Sequence, residues 1–189
     1  MKLWLARHAQ PLIGAGICYG ALDVSADTAL TSVAAQSLAK ALPQNTVCRI
    51  SPLLRCQQLA SALALLRPDL SIESSTCTDL RLTEMDFGVF EGQPWAAIPK
   101  AAVDAWTADF GNHRFGGCES ANEVLQRVKA ALDDSLALNA NNVLWITHAG
   151  VIRASDLCHQ GIYQLSMPSE WPREVLEFGC YKAIDGIDT

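Results

Sequence analysis

Residues 3–6, Leu-Trp-Leu-Ala, form a short unbroken apolar run that ends abruptly in Arg7 and His8. Such a run suits a strand covered on both faces, as in a parallel sheet flanked by helices. The pattern recurs at 142–147, Asn-Val-Leu-Trp-Ile-Thr, which runs into His148. Two strands of this kind restrict the chain to architectures that bury both faces of a sheet. They also raise a chemical question, because a strand ordinarily gives way to turn residues. Either the arginine and the imidazoles are solvated strand ends, or something anionic belongs beside them.

The segments between these strands read mainly as helices. Leu30, Val33, Ala34, Ser37, Leu38, Ala41 and Leu42 recur at helical spacing ahead of Pro43, which predicts an amphipathic helix over 30–42. Residues 46–50, Thr-Val-Cys-Arg-Ile, read as a second short strand. Ser51 as N-cap and Pro52 at the first helical position then open a helix that reaches about Leu66. Residues 70–74 read as another strand. The stretch 94–118, rich in Trp, Phe and Gly, reads as a helical excursion with a loop. Ser120 and Glu123 form a capping box for a helix with Val124, Val128, Ala131 and Leu132 on its inner face. Residues 175–185 read as a late strand. Strands alternating with helices predict an α/β fold, three layers deep, with a mostly parallel central sheet. Without repeats or linkers, residues 1–189 are expected to form a single domain.

Charge and cysteine usage narrow the partners. A net charge of −6 argues against non-specific nucleic-acid binding, which needs a basic face. It leaves room for a local cationic pocket and a small anionic ligand. The seven cysteines are odd in number and scattered, with no C-x-x-C pair, so reduced thiols are expected rather than a disulfide framework or a zinc site. Residues 1–6 are too short for a signal-peptide core, and no apolar run approaches membrane-spanning length. A cytoplasmic protein with no membrane partner is the expectation. Oligomeric state is open, and a homodimer is compatible with the chain.

In open α/β sheets, ligands bind beyond the carboxyl ends of the strands. Arg7 and His8 follow the first strand, Arg55 lies one turn into the helix after the second, and His148 follows the apolar run at 142–147. The backbone N–H groups of Ala149 and Gly150, at a helix start, would add donors. A phosphate dianion fits such a set, because guanidinium forks match phosphate oxygens. His8 would then be a nucleophile, with Arg7 holding the phosphoryl group. Each residue also has a plainer reading. Arg55 suits a solvated helix face, His148 suits a helix cap, and Glu84 with Asp86 and Glu91 suits a solvated acidic loop.

The segments LARHA at 5–9, SPLLRCQQLA at 51–60, RLTEMDFGVFEG at 81–92, GGCES at 116–120 and ITHAG at 146–150 resemble, in order, the histidine phosphatase superfamily. That family includes cofactor-dependent phosphoglycerate mutases and many phosphatases. EMDFGVFEG, CYG at 18–20 and the tail LEFGCYKAID are most similar to its α-ribazole phosphatase branch in cobalamin synthesis. The resemblance implies a phosphoglycerate mutase-like fold and a phosphohistidine at His8. It implies a phosphate pocket of Arg7, Arg55 and His148, and Glu84 as proton donor to the leaving oxygen, with no metal and no cofactor. Three departures stand out. Leu59 replaces a usual threonine, Ala34 a common helix glycine, and Ala21 an arginine that often follows CYG. The expected activity is hydrolysis of a small phosphomonoester. The alternatives are a mutase, for which 93–115 offers little enclosing chain, and a non-catalytic phosphate-binding module. His113 and His159 are expected to be structural or surface residues. Trp95, Trp106 and Phe115 suit either ordinary packing or a lid over an apolar substrate moiety. Glu119 suits a helix start or a place near the pocket.

Overall fold

A computed structural model describes residues 1–72 and 74–186. Strands β1 (Lys2–Arg7), β2 (Val47–Ile50), β3 (Asn142–Thr147) and β4 (Tyr181–Ile184) form one sheet in the order β2-β3-β1-β4. β1 and β2 both run parallel to β3, and β4 pairs antiparallel with β1 at the edge. Side chains alternate between two cores, as a strand period of two requires. Leu3, Leu5, Val143 and Trp145 face helices α5 (Ala121–Ala137) and α6 (Ala149–His159). Ala6, Leu144 and Ile146 face helices α1 (Thr28–Ala41) and α2 (Leu54–Leu66). The fold is thus the expected α/β sandwich of helices about a mostly parallel sheet.

The register brings the strand ends level. Arg7 lies opposite Thr147, and Ile50 opposite Ile146. The ladder continues one residue further, from His8 N–H to Thr147 C=O and from Ser51 N–H to Ile146 C=O. His8, His148 and Ser51 therefore emerge side by side.

Several local expectations need correction. Asp27 caps α1 through Leu30 N–H, so the helix begins at Thr28. Its buried stripe is Thr31, Ala34, Ala35 and Leu38, while Leu30, Val33 and Ser37 are exposed. Two overlapping stripes satisfy the same helical period, and the small alanines win where α1 approaches α2 and the sheet closely. Ser51 is not an N-cap, because α2 begins at Leu54 with no side-chain cap. Of residues 70–74, Leu70 closes a 3₁₀ turn, Ser71 is left-handed and Ser74 starts helix α3 (Ser74–Cys77), while residue 73 lies outside the described residues. At the outer edge of β2 an isolated parallel bridge joins Ile50 to Thr78 instead. At 175–185, only Tyr181–Ile184 pairs. The excursion holds helix α4 (Lys100–Ala108) between 3₁₀ turns, and the capping box of α5 forms as expected.

Candidate active site

The His8 imidazole is almost fully buried, and its Nδ1 lies 2.7 Å from the carbonyl oxygen of Ala9. A carbonyl can only accept, so Nδ1 carries the proton and Nε2 keeps its lone pair. The Arg55 Nε–H rests on that Nε2 at 3.3 Å. Burial, then the charges of Arg55 and Arg7, push the His8 pKa down to about 3, outweighing the opposing bond to Ala9. The ring is a neutral base whose Nε2 meets Arg55. An NMR titration should therefore find His8, identified by its loss in His8→Ala, in the neutral pattern from pH 8 down to about pH 5. A midpoint near the ordinary histidine value would contradict this geometry.

Arg55 is completely buried, and its position follows from the loop at 18–22. Its Nη1 donates to the carbonyl of Leu22 at 2.8 Å and its Nη2 to that of Gly20 at 2.6 Å. The loop itself is held by Glu91, whose carboxylate accepts the N–H groups of Gly20, Ala21, Leu22 and Phe87. Gly20 fits where no other residue would, since a Cβ there would lie 1.9 Å from the Met85 carbonyl oxygen. Among the described residues Arg55 thus donates only to neutral acceptors. Burying a charge costs several kcal/mol, and a carboxylate partner is the usual offset. Here the charge stays available to an external anion.

Arg7 is built the same way. Its Nη1 donates to the Leu176 carbonyl at 2.7 Å, and its guanidinium lies 3.7 Å from the centre of the Phe178 ring. Its Nε is buried and has no partner among the described residues. The segment 175–180 earns its place here, not as a strand. It crosses the strand ends, anchored by Gly179 N–H to His8 C=O and Arg7 N–H to Cys180 C=O.

His148 is fully buried, 5.1 Å from His8 between ring centroids. Its Nε2 lies 2.7 Å from Ser51 Oγ, which in turn accepts Leu53 N–H. With Ser51 Oγ–H assigned as the donor to Nε2, the His148 proton sits on Nδ1. That Nδ1 also has no partner among the described residues. Burial holds His148 well below the usual histidine range, helped by Arg55 and His8. Cys56 sits nearby with its Sγ 3.5 Å from Nε2, but burial pushes its thiol up to about 12, so it is no nucleophile.

Glu84 completes the group. Its Oε2 accepts Gly150 N–H at 3.0 Å and its Oε1 accepts Met85 N–H at 3.0 Å. A Cβ on residue 150 would lie 2.2 Å from Glu84 Oε1, so the carboxylate depends on glycine at this helix start. Gly150 is consequently a donor to Glu84 and not a free phosphate donor, as the strand-end reading expects. The neighbouring acids are otherwise engaged. Asp86 accepts Gly88 N–H, Glu91 holds the 18–22 loop, and Glu119 is paired with Arg127. Sequence reasoning missed Ser51, Glu91 and Phe178. Only motif membership marked them, because a serine before proline reads first as a cap. His113 is half-buried and His159 exposed, and neither enters the site.

What this geometry offers is a neutral imidazole against the Arg55 guanidinium, which donates to no carboxylate among the described residues, with two buried nitrogens without partners, Arg7 Nε and His148 Nδ1, on neighbouring residues. Among the described residues, no three His, Cys, Asp or Glu side chains gather as metal ligands, and no helix is long and apolar enough to cross a membrane.

Comparison with known proteins gives this arrangement a lineage. A provisionally named phosphoserine phosphatase 2 of Hydrogenobacter thermophilus is 33% identical over 159 residues, spanning 81% of this chain and 75% of that protein. A mycobacterial glucosyl-3-phosphoglycerate phosphatase superposes with a TM-score of 0.78 at 21% identity, covering 96% of this chain and 88% of the other. A Thermus thermophilus protein gives a TM-score of 0.67 at 27% identity over 98% and 94% of the two chains. A family model for branch 1 of the histidine phosphatases matches residues 3–168, from β1 to the turn beyond α6, and so takes in each strand end that builds the site. This chain belongs to the histidine phosphatase superfamily, branch 1.

Proposed function

We propose that this chain is a metal-independent phosphomonoesterase that works through a phosphohistidine at His8, with α-ribazole 5′-phosphate as its substrate. The observation that carries the reading is a pair of buried nitrogens without partners among the described residues, Arg7 Nε and His148 Nδ1, on the residue before His8 and on the imidazole 5.1 Å from its ring. A phosphoryl group between them would satisfy both donors, while Arg55 moves its Nε–H from Nε2 to an oxygen. In the first step Nε2 bonds to phosphorus, the bond to the leaving oxygen breaks, and Glu84 gives that oxygen a proton. In the second, Glu84 takes a proton from water as its oxygen attacks phosphorus, and the P–N bond breaks to release inorganic phosphate. The gain comes from positioning and from cationic stabilisation of the equatorial oxygens.

The choice of α-ribazole 5′-phosphate rests on the EMDFGVFEG, CYG and LEFGCYKAID segments. The relatives' names add phosphoserine and glucosyl-3-phosphoglycerate as phosphate esters to compare. Seven free thiols suit a cytoplasmic enzyme of a small-molecule substrate. Enzyme dialysed against EDTA is expected to release phosphate from p-nitrophenyl phosphate and α-ribazole 5′-phosphate, and to leave 3-phosphoglycerate un-isomerised. Activity lost to EDTA and restored by Mg²⁺ would overturn the metal-free mechanism. Isomerisation without net hydrolysis would make the chain a mutase.

A further inference from the structure

The capping box of α5 leaves one acid of the 116–120 segment over. Ser120 and Glu123 close the helix start between themselves, so Glu119 has no part in the cap. Its carboxylate instead takes a two-pronged grip from Arg127, eight residues on, with Nε at 2.6 Å and Nη2 at 3.0 Å. Each side chain is only 18% exposed. A forked pair of this kind fixes orientation as well as charge. Both partners also reach the segment that carries Glu84. Arg127 Nη1 donates to the Arg81 carbonyl at 2.6 Å, and Glu119 Oε2 accepts the Asp86 N–H at 3.2 Å. One ion pair therefore holds the chain on both sides of Glu84.

That grip matters because the segment lacks a ladder of its own. Between the 3₁₀ turns Leu80–Leu82 and Gly88–Phe90, residues 83–87 belong to no helix or strand. Side chains must set their path. On the core side, buried Thr147 donates its Oγ1–H to the Leu82 carbonyl at 2.7 Å. On the other side the loop that leads to Glu119 lies directly against residues 87–88. A Cβ on Gly116 would come within 1.8 Å of the Phe87 carbonyl oxygen, and one on Gly88 within 2.1 Å of the Gly116 oxygen. Phe115 is fully buried beneath this loop and stacks on Trp106 at 4.4 Å and on Trp95 at 5.8 Å. These three aromatic residues pack the loop in place, the plainer of the two readings open to them. The Glu84 carboxylate itself accepts two backbone N–H groups, so its position follows the backbone that bears it.

We propose that Glu119 and Arg127 are positioning residues for the general acid, their ion pair fixing the backbone about Glu84 so that its carboxyl reaches the leaving oxygen. The inference deepens the phosphomonoesterase reading and rests on its assignment of Glu84. Neither residue touches the phosphoryl group in this scheme. Their effect passes entirely through the placement of one proton.

Leaving-group dependence isolates that role, because a displaced acid penalises an alkoxide far more than p-nitrophenolate. Arg127→Gln is too short to span Glu119 and the Arg81 carbonyl together. It should lower kcat/KM for propyl phosphate about 10–100-fold, the scale of a misplacement near 1 Å, and for p-nitrophenyl phosphate by less than about threefold. Glu119→Gln, which keeps the size of the side chain, should show the same bias toward the alkyl ester. In a Glu84→Gln background, Arg127→Gln should cost propyl phosphate less than about threefold more, since no transferable proton remains to be misplaced. Equal losses for the two esters, or losses that add to those of Glu84→Gln, would overturn the proposal and leave Glu84 as the acid. A Glu84→Gln enzyme without leaving-group dependence would overturn the acid assignment, and this proposal with it. One measurement needs only the wild type. The Asp86 amide should exchange with solvent at least about tenfold more slowly than in an unfolded peptide. Exchange at the free-peptide rate would show the grip on Asp86 to be open and would overturn the proposal, whether or not the variants fold.

Discussion

His8→Ala is expected to lower phosphate release by about 10⁴–10⁶-fold, the scale seen when a covalent nucleophile is removed. Acid-quenched wild-type enzyme with labelled substrate should retain an acid-labile, base-stable phosphoryl group, and His8→Ala should retain none. The geometry explains why nothing else substitutes. Cys56 is held as a thiol by burial, and His148 keeps its Nε2 on Ser51. Near-normal turnover in His8→Ala would remove the residue from the chemistry. Loss of fold is a separate question with its own readout. The folded-state pKa of His8 lies at about 3, below the ordinary 6.5, so the unfolded chain binds the extra proton between those values. The contribution of His8 to stability is therefore complete above about pH 6.5 and declines as the pH falls toward 3. His8→Ala should flatten that part of the stability profile, while its thermal transition at pH 7 stays cooperative.

The parts of this protein that could be read in advance are those in which one physical demand dominates. An apolar run of four residues must be covered on both faces, which gives β1, β3 and the layers. The Ser120–Glu123 pair satisfies two orphan N–H groups at once, and α5 starts where it says. Ambiguity entered where two demands share a pattern. Leu30 and Val33 fit a helical stripe as well as Ala34 and Ala35 do, and only the closeness of α2 chooses between them. Ser51 before Pro52 fits a cap as well as it fits a hydrogen bond to a residue 97 positions away. Glu91 could not be separated from Glu84 or Asp86 by spacing alone. Its four backbone donors come together only once the 18–22 loop has closed over Arg55.

Those same contacts single out Glu84 for the last expected result. If Glu84 protonates the leaving oxygen, its worth depends on how badly that oxygen needs a proton. An alkoxide leaves poorly and p-nitrophenolate leaves readily. Glu84→Gln keeps the shape and an acceptor for Gly150 N–H, but carries no transferable proton. The value of kcat/KM for an alkyl phosphate should fall about 10²–10⁴-fold, the usual contribution of a positioned acid, and for p-nitrophenyl phosphate by less than about tenfold. This ratio reports steps only through the first irreversible one, here phosphorylation of His8. Turnover of the aryl ester should still slow, because Glu84 also serves as base when water attacks the phosphohistidine. A burst of p-nitrophenolate followed by a slow steady state would show that second role. Equal losses of kcat/KM for both esters would reduce Glu84 to shaping the pocket. Asp86 would then be the acid to test, since Glu91 already accepts four backbone N–H groups and has no proton to spare without releasing the loop that holds Arg55.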